Sequence, residues 1–192
     1  MKFKLIFVGS LSQKVGIHSF IKRYIDGVYH QDGGSDDGLK KVIGSVDLIT
    51  KEMVDQDSSS ADQLLIFMPF RSSEARFIIF PSAYLKAVDG IFLFFDVTNK
   101  ASFKKCKELY GDMKKEYGVI TQDNNEKGPI IVALIGCKCD IEQDKRQVSI
   151  DEAIQWTKDN KLAFYQETSA KDNIGIDNAF NTIYYSMLMN IN

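Results

Sequence analysis

Two nearly continuous apolar runs, Ile91 to Val97 and Ile130 to Gly136, constrain this chain more than any other feature. A run without polar alternation suits a strand buried on both faces, as in a parallel sheet covered by helices. Between them, Ser102 to Tyr117 reads as a charged amphipathic helix and Thr121 to Gly128 as a polar loop. The rest of the chain repeats the alternation. Phe3 to Val8 is strand-like and ends at Gly9, and Gly16 to Asp26 carries Ile17, Phe20, Ile21 and Tyr24 on one helical face. His30 to Gly38 is a polar, Gly-rich loop. Val42 to Ile49 and Gln63 to Phe67 read as strands joined by a hairpin turn over Asp55 to Asp62. Ser149 to Asn160 reads as a helix in which Ser149 and Glu152 form a capping box. Leu162 to Tyr165 reads as a short last strand and Ile176 to Met189 as a C-terminal helix. Strands alternating with helices imply an α/β fold with a mostly parallel sheet. Ligands in such sheets bind beyond the carboxyl ends of the strands. That places candidate site loops at Gly9 to Gly16, Gly136 to Asp140 and Glu167 to Lys171.

The chain has 192 residues, with no internal repeat and no linker, so a single domain over 1–192 is expected. Its formal net charge is −2, which gives no overall attraction for nucleic acid or anionic lipid. The 3 cysteines, Cys106, Cys137 and Cys139, are too few for a disulfide framework and fit reduced thiols. With only 2 histidines, a zinc site at the C-x-C pair would need carboxylates from elsewhere, and no metal is expected there. No stretch approaches a membrane span. Lys2 gives no myristoylation site and the last four residues hold no prenylation cysteine. The expectation is a cytoplasmic protein with no direct membrane anchor in this chain and no nucleic-acid partner.

Leu134 to Asp140 reads LIGCKCD and Glu167 to Lys171 reads ETSAK. These resemble the LVGNKxD and ETSAK motifs of small GTPases of the Ras superfamily, and Rab proteins most closely. Asp96 to Asn99 resembles the family's DVTN, Ser82 to Gly90 its SxYYRGAxG helix, and Phe20 to Tyr29 its LLxRYxDxxF helix. The resemblance runs along nearly the whole chain in order. It implies a small G-domain of the P-loop NTPase type, with a six-stranded, mostly parallel sheet flanked by helices.

By that resemblance, Asp140 accepts two hydrogen bonds from guanine, a charged bidentate contact that sets base specificity. Lys138 lays its stem over the base, and Ser169, Ala170 and Lys171 form the loop that offers a backbone N–H to guanine O6. Cys137 stands where the family has the Asn that ties the base-reading loop to the phosphate loop. The phosphate loop itself departs from G-x-x-x-x-G-K-[ST], whose backbone N–H groups cradle phosphate while Lys and Ser/Thr serve phosphate and magnesium. Gly9 to Gly16 reads GSLSQKVG, with six residues between the glycines. Ile17 stands in the Lys place, His18 in the Ser place, and Ser19 is one position late. Lys14 is a surface lysine that a bent loop could present to phosphate.

The other magnesium ligands are also replaced. Val42 stands at the switch I Thr, and Met68 or Phe70, depending on alignment, at the switch II Asp. Arg71 or Ser73 then falls at the switch II Gly, and Glu74 or Ser72 at the Gln that orients water. Hydrogen bonds to charged groups contribute roughly 1.5–3 kcal/mol each. Losing the Lys alone should therefore weaken binding by about one to two decades or more.

These departures imply no catalytic residue, no resident magnesium and no meaningful hydrolysis. Ile17, Val42 and Met68 or Phe70 would fill the vacated space with apolar groups. GTP or GDP remains the ligand that the base loops imply. The first reading is a pseudo-GTPase, an interaction module that binds a protein partner through its switch region. The alternative is an atypical small GTPase that binds GTP and GDP and acts as a slow switch in vesicle trafficking or signalling. Trp156 is expected to be a partly buried packing residue, Phe77 to Phe80 an exposed switch-region patch, and Asp32, Asp36 and Asp37 a solvated acidic loop, with a partner or metal contact in the effector region as the rival reading.

Overall fold

The computed structural model describes residues 1–10, 12–29, 48–53, 62–67, 88–117 and 129–190. The expectations for the polar loops at 30–38 and 121–128, the hairpin turn, the 82–90 helix, Phe77 to Phe80 and the three loop aspartates lie outside these residues, apart from the ends of the turn and helix. So do those for Val42, Met68, Phe70, Arg71, Ser72, Ser73 and Glu74.

The described strands are β1 (Lys2–Gly9), β2 (Leu48–Met53), β3 (Asp62–Phe67), β4 (Gly90–Asp96), β5 (Ile131–Cys137) and β6 (Phe164–Thr168). The described α-helices are α1 (Ile17–Asp26), α2 (Lys100–Tyr117), α3 (Ile150–Asp159) and α4 (Ile176–Met189). The six strands form one sheet in the order β2-β3-β1-β4-β5-β6. β2 is antiparallel to β3, and the other pairings are parallel. This is the α/β architecture that the two apolar runs imply.

Side chains alternate across the sheet because successive Cβ atoms in a strand point to opposite faces. Phe3, Leu5, Phe7, Phe92, Phe94, Ala133, Ile135 and Cys137 face α1 and α4. Ile6, Val8, Ile91, Leu93, Phe95, Val132 and Leu134 face α2 and α3. Phe92 sits amid the rings of Phe7, Phe20, Phe94, Phe164 and Phe180. Trp156 is half-buried edge-on to Phe103 and Tyr110, as the sequence suggested.

Three elements differ from the sequence reading by more than one residue. β2 runs to Met53 rather than ending at Ile49, through Lys51 and Glu52. β2 is an edge strand whose residues 48–53 pair with β3, and edges tolerate charge. β6 spans Phe164–Thr168 rather than Leu162 to Tyr165. Its polar residues Gln166 and Glu167 pair with Ile135 and Gly136 at the opposite edge of the sheet. α2 begins at Lys100, two residues earlier than read, because the Asn99 Oδ1 accepts from the N–H groups of Ala101 and Ser102. The capping box at α3 is half realised. Ser149 Oγ accepts from Glu152 N–H at 3.2 Å, but the Glu152 carboxylate pairs with Lys100 instead of returning to the cap.

Candidate functional site

Gly9, Asp96, Cys137 and Thr168 end four neighbouring parallel strands, so the loops that follow them lie side by side at one end of the sheet. β1 lies where the strand order turns back, between β3 and β4, the switch point at which α/β sheets open a crevice.

The loop after β1 is closed by apolar side chains. Val15 and Ile17 are 2% and 3% exposed and belong to the core. A methyl group built on Gly9 would lie 3.0 Å from Ile17 Cδ1 and 3.1 Å from Val15 Cγ2. Gly16 enters α1 with φ of 101°, a left-handed conformation that suits glycine. Lys14 is exposed, also with positive φ. His18 and Ser19 are half-buried in the first turn of α1. Ser10 and Ser12 hydroxyls lie 3.2 Å apart, and Gln13 Oε1 is buried without a hydrogen-bond partner among the described residues. Ile17 thus turns into the core and presents no head group to the loop.

The loop after β5 approaches this one through Cys137. A methyl on Gly16 would meet Cys137 Cβ at 3.7 Å and Sγ at 3.9 Å. The two loops are therefore neighbours at this position, with room for no more than a methyl between Gly16 and Cys137. The Thr168 hydroxyl faces the same sulfur at 3.9 Å. Lys138, at φ of 65°, turns its ammonium to Asp96 Oδ2 at 2.5 Å. The other Asp96 oxygen accepts from the Thr98 N–H and hydroxyl, so this buried carboxylate is fully engaged. Asp140 lies 3.8 Å from the Lys171 ammonium.

Ser169, Ala170 and Lys171 follow β6. Ser169 is buried, exchanges both backbone hydrogen bonds with Ile174, and accepts from Asp172 N–H at 3.0 Å. Arg23 of α1 fixes the loop from below. Its Nε donates to the Ala170 carbonyl at 2.7 Å and its Nη2 to the Lys171 carbonyl at 3.0 Å. Arg146 pairs with Glu167, Arg146 Nε donates to the Val148 carbonyl, and the Tyr165 hydroxyl donates to Glu167 Oε1 at 2.6 Å. That cluster ties the segment after β5 to the strand that carries the third loop. Burial and this carboxylate together push the Tyr165 phenol upward.

The structure therefore brings Lys138, Asp140, Ser169, Ala170 and Lys171 together and leaves Lys14 on the surface. Sequence reasoning gave no role to Arg23, Asp96, Arg146 or Glu167. Arg23, Asp96 and Glu167 lie within the RY, DVTN and ETSAK segments, which is the available signal; Arg146 lies in no motif.

All three cysteines are free thiols, Cys106 and Cys137 buried in the core and Cys139 half-buried. Burial pushes Cys106 and Cys137 up to about 12, and burial with nearby Glu167 and Asp140 pushes Cys139 up to about 11. The thiolate is the reactive form. Treatment of the native protein with a disulfide reagent at about pH 8 should therefore leave Cys106 and Cys137 unmodified, and all three should react in denaturant. Rapid native modification at all three would contradict this burial. Among the described residues no group of three His, Cys, Asp or Glu could hold a metal ion.

The Ras family profile matches residues 4–189. The chain belongs to the Ras family. It is 30% identical over 94% of its length to the GTP-binding protein YPT1 of Saccharomyces cerevisiae, covering 76% of that protein. It is 30% identical over 98% of its length to mouse Ras-related protein Rab-32, again covering 76%. Against canine Ras-related protein Rab-13 the figures are 27%, 97% and 80%. This Ras-family chain is Rab-like, and its G-domain fold is that of small GTPases. Among the described residues no helix is long and apolar enough to cross a membrane.

Proposed function

We propose that this Ras-family protein is a pseudo-GTPase: one G-domain over 1–192 that serves as a protein-interaction module, with weak, magnesium-independent guanine-nucleotide binding and no meaningful hydrolysis. The observation that carries the reading is Ile17. It stands where a lysine would reach phosphate, and it is buried against Gly9 beside Val15. Phosphoryl transfer depends on positioning and charge stabilisation, and an alkyl side chain supplies neither. His18, in the place of the hydroxyl ligand, adds no hard oxygen for magnesium. The residues present thus fit a guanine base and do not fit magnesium triphosphate. The switch region is the surface we assign to the protein partner. A cytoplasmic location and a part in trafficking or signalling extend the analogy with the Rab relatives.

The second reading, a slow GTP/GDP switch, is favoured by the base side. Asp140 and the Ser169–Lys171 loop are held next to each other, the latter by Arg23.

A thermal-shift titration with GDP, GTP and ATP, with and without magnesium, separates the readings. A ligand that binds only the folded state adds RT ln(1 + [L]/Kd), about 2.7 kcal/mol at a hundredfold excess. The expected result is a small shift with millimolar GDP and GTP, none with ATP, and no change on adding magnesium. Asp140→Ala should abolish it. A large, magnesium-requiring shift would overturn the pseudo-GTPase reading in favour of the switch.

A further inference from the structure

α2 carries six lysines, at 100, 104, 105, 107, 114 and 115, in a chain of net charge −2. At 3.6 residues per turn, positions 100, 104, 107, 111, 114 and 115 fall on one side of the helix. All but Gly111 are lysine, and the row runs about 22 Å. Lys105 lies off this line, where it pairs with Glu108 at 3.2 Å. Lys100 pairs with Glu152 of α3 at one end. Among the described residues Lys104, Lys107, Lys114 and Lys115 have no carboxylate partner. Lys104, Lys114 and Lys115 are exposed. Lys107 and Lys114 place their ammonium groups over the rings of Phe103 and Tyr110, 4.5 and 5.4 Å from the centroids, cation–π contacts that leave both without a carboxylate partner among the described residues. A methyl on Gly111 would meet nothing within 4 Å, so the middle of the row is open.

We propose that this row docks an acidic segment of a partner protein. A single file of ammonium groups along one helix matches a narrow anionic chain. Unpaired like charges raise the local potential and recruit an opposite charge. A bilayer fits less well. The apolar face of α2 is buried against the sheet, and the large exposed hydrophobic side chains among the described residues all lie on other segments. Interfacial helices need such side chains to enter lipid. Glu108 and Asp112 also border the row and would face a flat anionic surface.

The test uses fluorescein-labelled oligoglutamate, followed by anisotropy at low salt. Binding should weaken roughly tenfold or more in K104E/K107E/K115E and little in K2E/K22E/K145E, which carries the same charge change elsewhere. Gly111→Ala should bind like the parent and Gly111→Glu several-fold more weakly, while both replacements raise helix propensity and preserve the fold. Equal loss in the two triple variants would overturn the proposal, as would equal binding by the two Gly111 variants. Absence of oligoglutamate binding would overturn it too, whether or not phosphatidylserine vesicles or a DNA duplex bound in its place.

Discussion

Phe92→Ala is expected to lower the unfolding free energy by about 3–5 kcal/mol, the range for removing a large aromatic from a packed core. Phe92 is fully buried on β4. Its ring stacks on Phe7 at 5.7 Å and meets Phe180 of α4 edge-on at 5.6 Å. It also meets Phe20 of α1 edge-on at 5.9 Å. Removing it opens a cavity between the sheet and both helices on that face, and the neighbouring rings are too rigid to collapse into it. For a domain of this size each kcal/mol moves Tm by about 2–4 °C, so a fall of roughly 6–20 °C should be seen in calorimetry. Tyr185→Ala, on the exposed side of α4, should change stability by no more than about 0.5 kcal/mol. A Phe92→Ala protein melting within a degree or two of the parent would show that the aromatic cluster is not the centre of this core.

Arg146→Ala carries the second large effect, about 3 kcal/mol in urea denaturation. The Arg146 and Glu167 side chains are only 10% and 20% exposed. Truncating the arginine leaves a largely buried carboxylate with the Tyr165 hydroxyl as its remaining close partner, and also removes the bond to the Val148 carbonyl. Most of the loss arises from that uncompensated charge. Arg146→Ala with Glu167→Gln should therefore cost less than the sum of the single changes, with a coupling of about 1–3 kcal/mol. Strict additivity would mean that the pair is structurally idle. Because Glu167 immediately precedes Thr168 and the Ser169–Lys171 loop, Arg146→Ala should also shrink any GDP-dependent thermal shift. That links a stability measurement to the loops proposed to read the base.

Which features were legible in the sequence follows from how local their causes are. The runs at 91–97 and 130–136 predicted β4 and β5 to within one residue, since burial on both faces demands an unbroken apolar string. α4 was read at its observed ends, and the Ser149 cap was read correctly, because helix periodicity and capping are encoded within a few residues. The edge strands were misplaced. Lys51, Glu52, Gln166 and Glu167 carry no strand signal of their own, and only pairing with β3 or β5 makes them extended. The candidate site divides in the same way. Asp140 and Ser169–Lys171 were visible as motif strings, and so was the substitution of Ile17 and His18 in the phosphate loop.

What the sequence by itself determined is the α/β class, the Ras-family membership and the identity of the residues at each motif position. What only the tertiary structure decided is where those side chains go. Ile17 and Val15 turn inward over Gly9 because the core offers them more than the solvent does. Lys138 finds Asp96, Arg23 reaches the Ala170 and Lys171 carbonyls across 147 and 148 residues of chain, and Cys137 comes to lie beside Gly16. Each of these contacts joins segments far apart in the sequence. Their partners are neighbours only after the sheet has assembled, so no local pattern in the chain could have announced them.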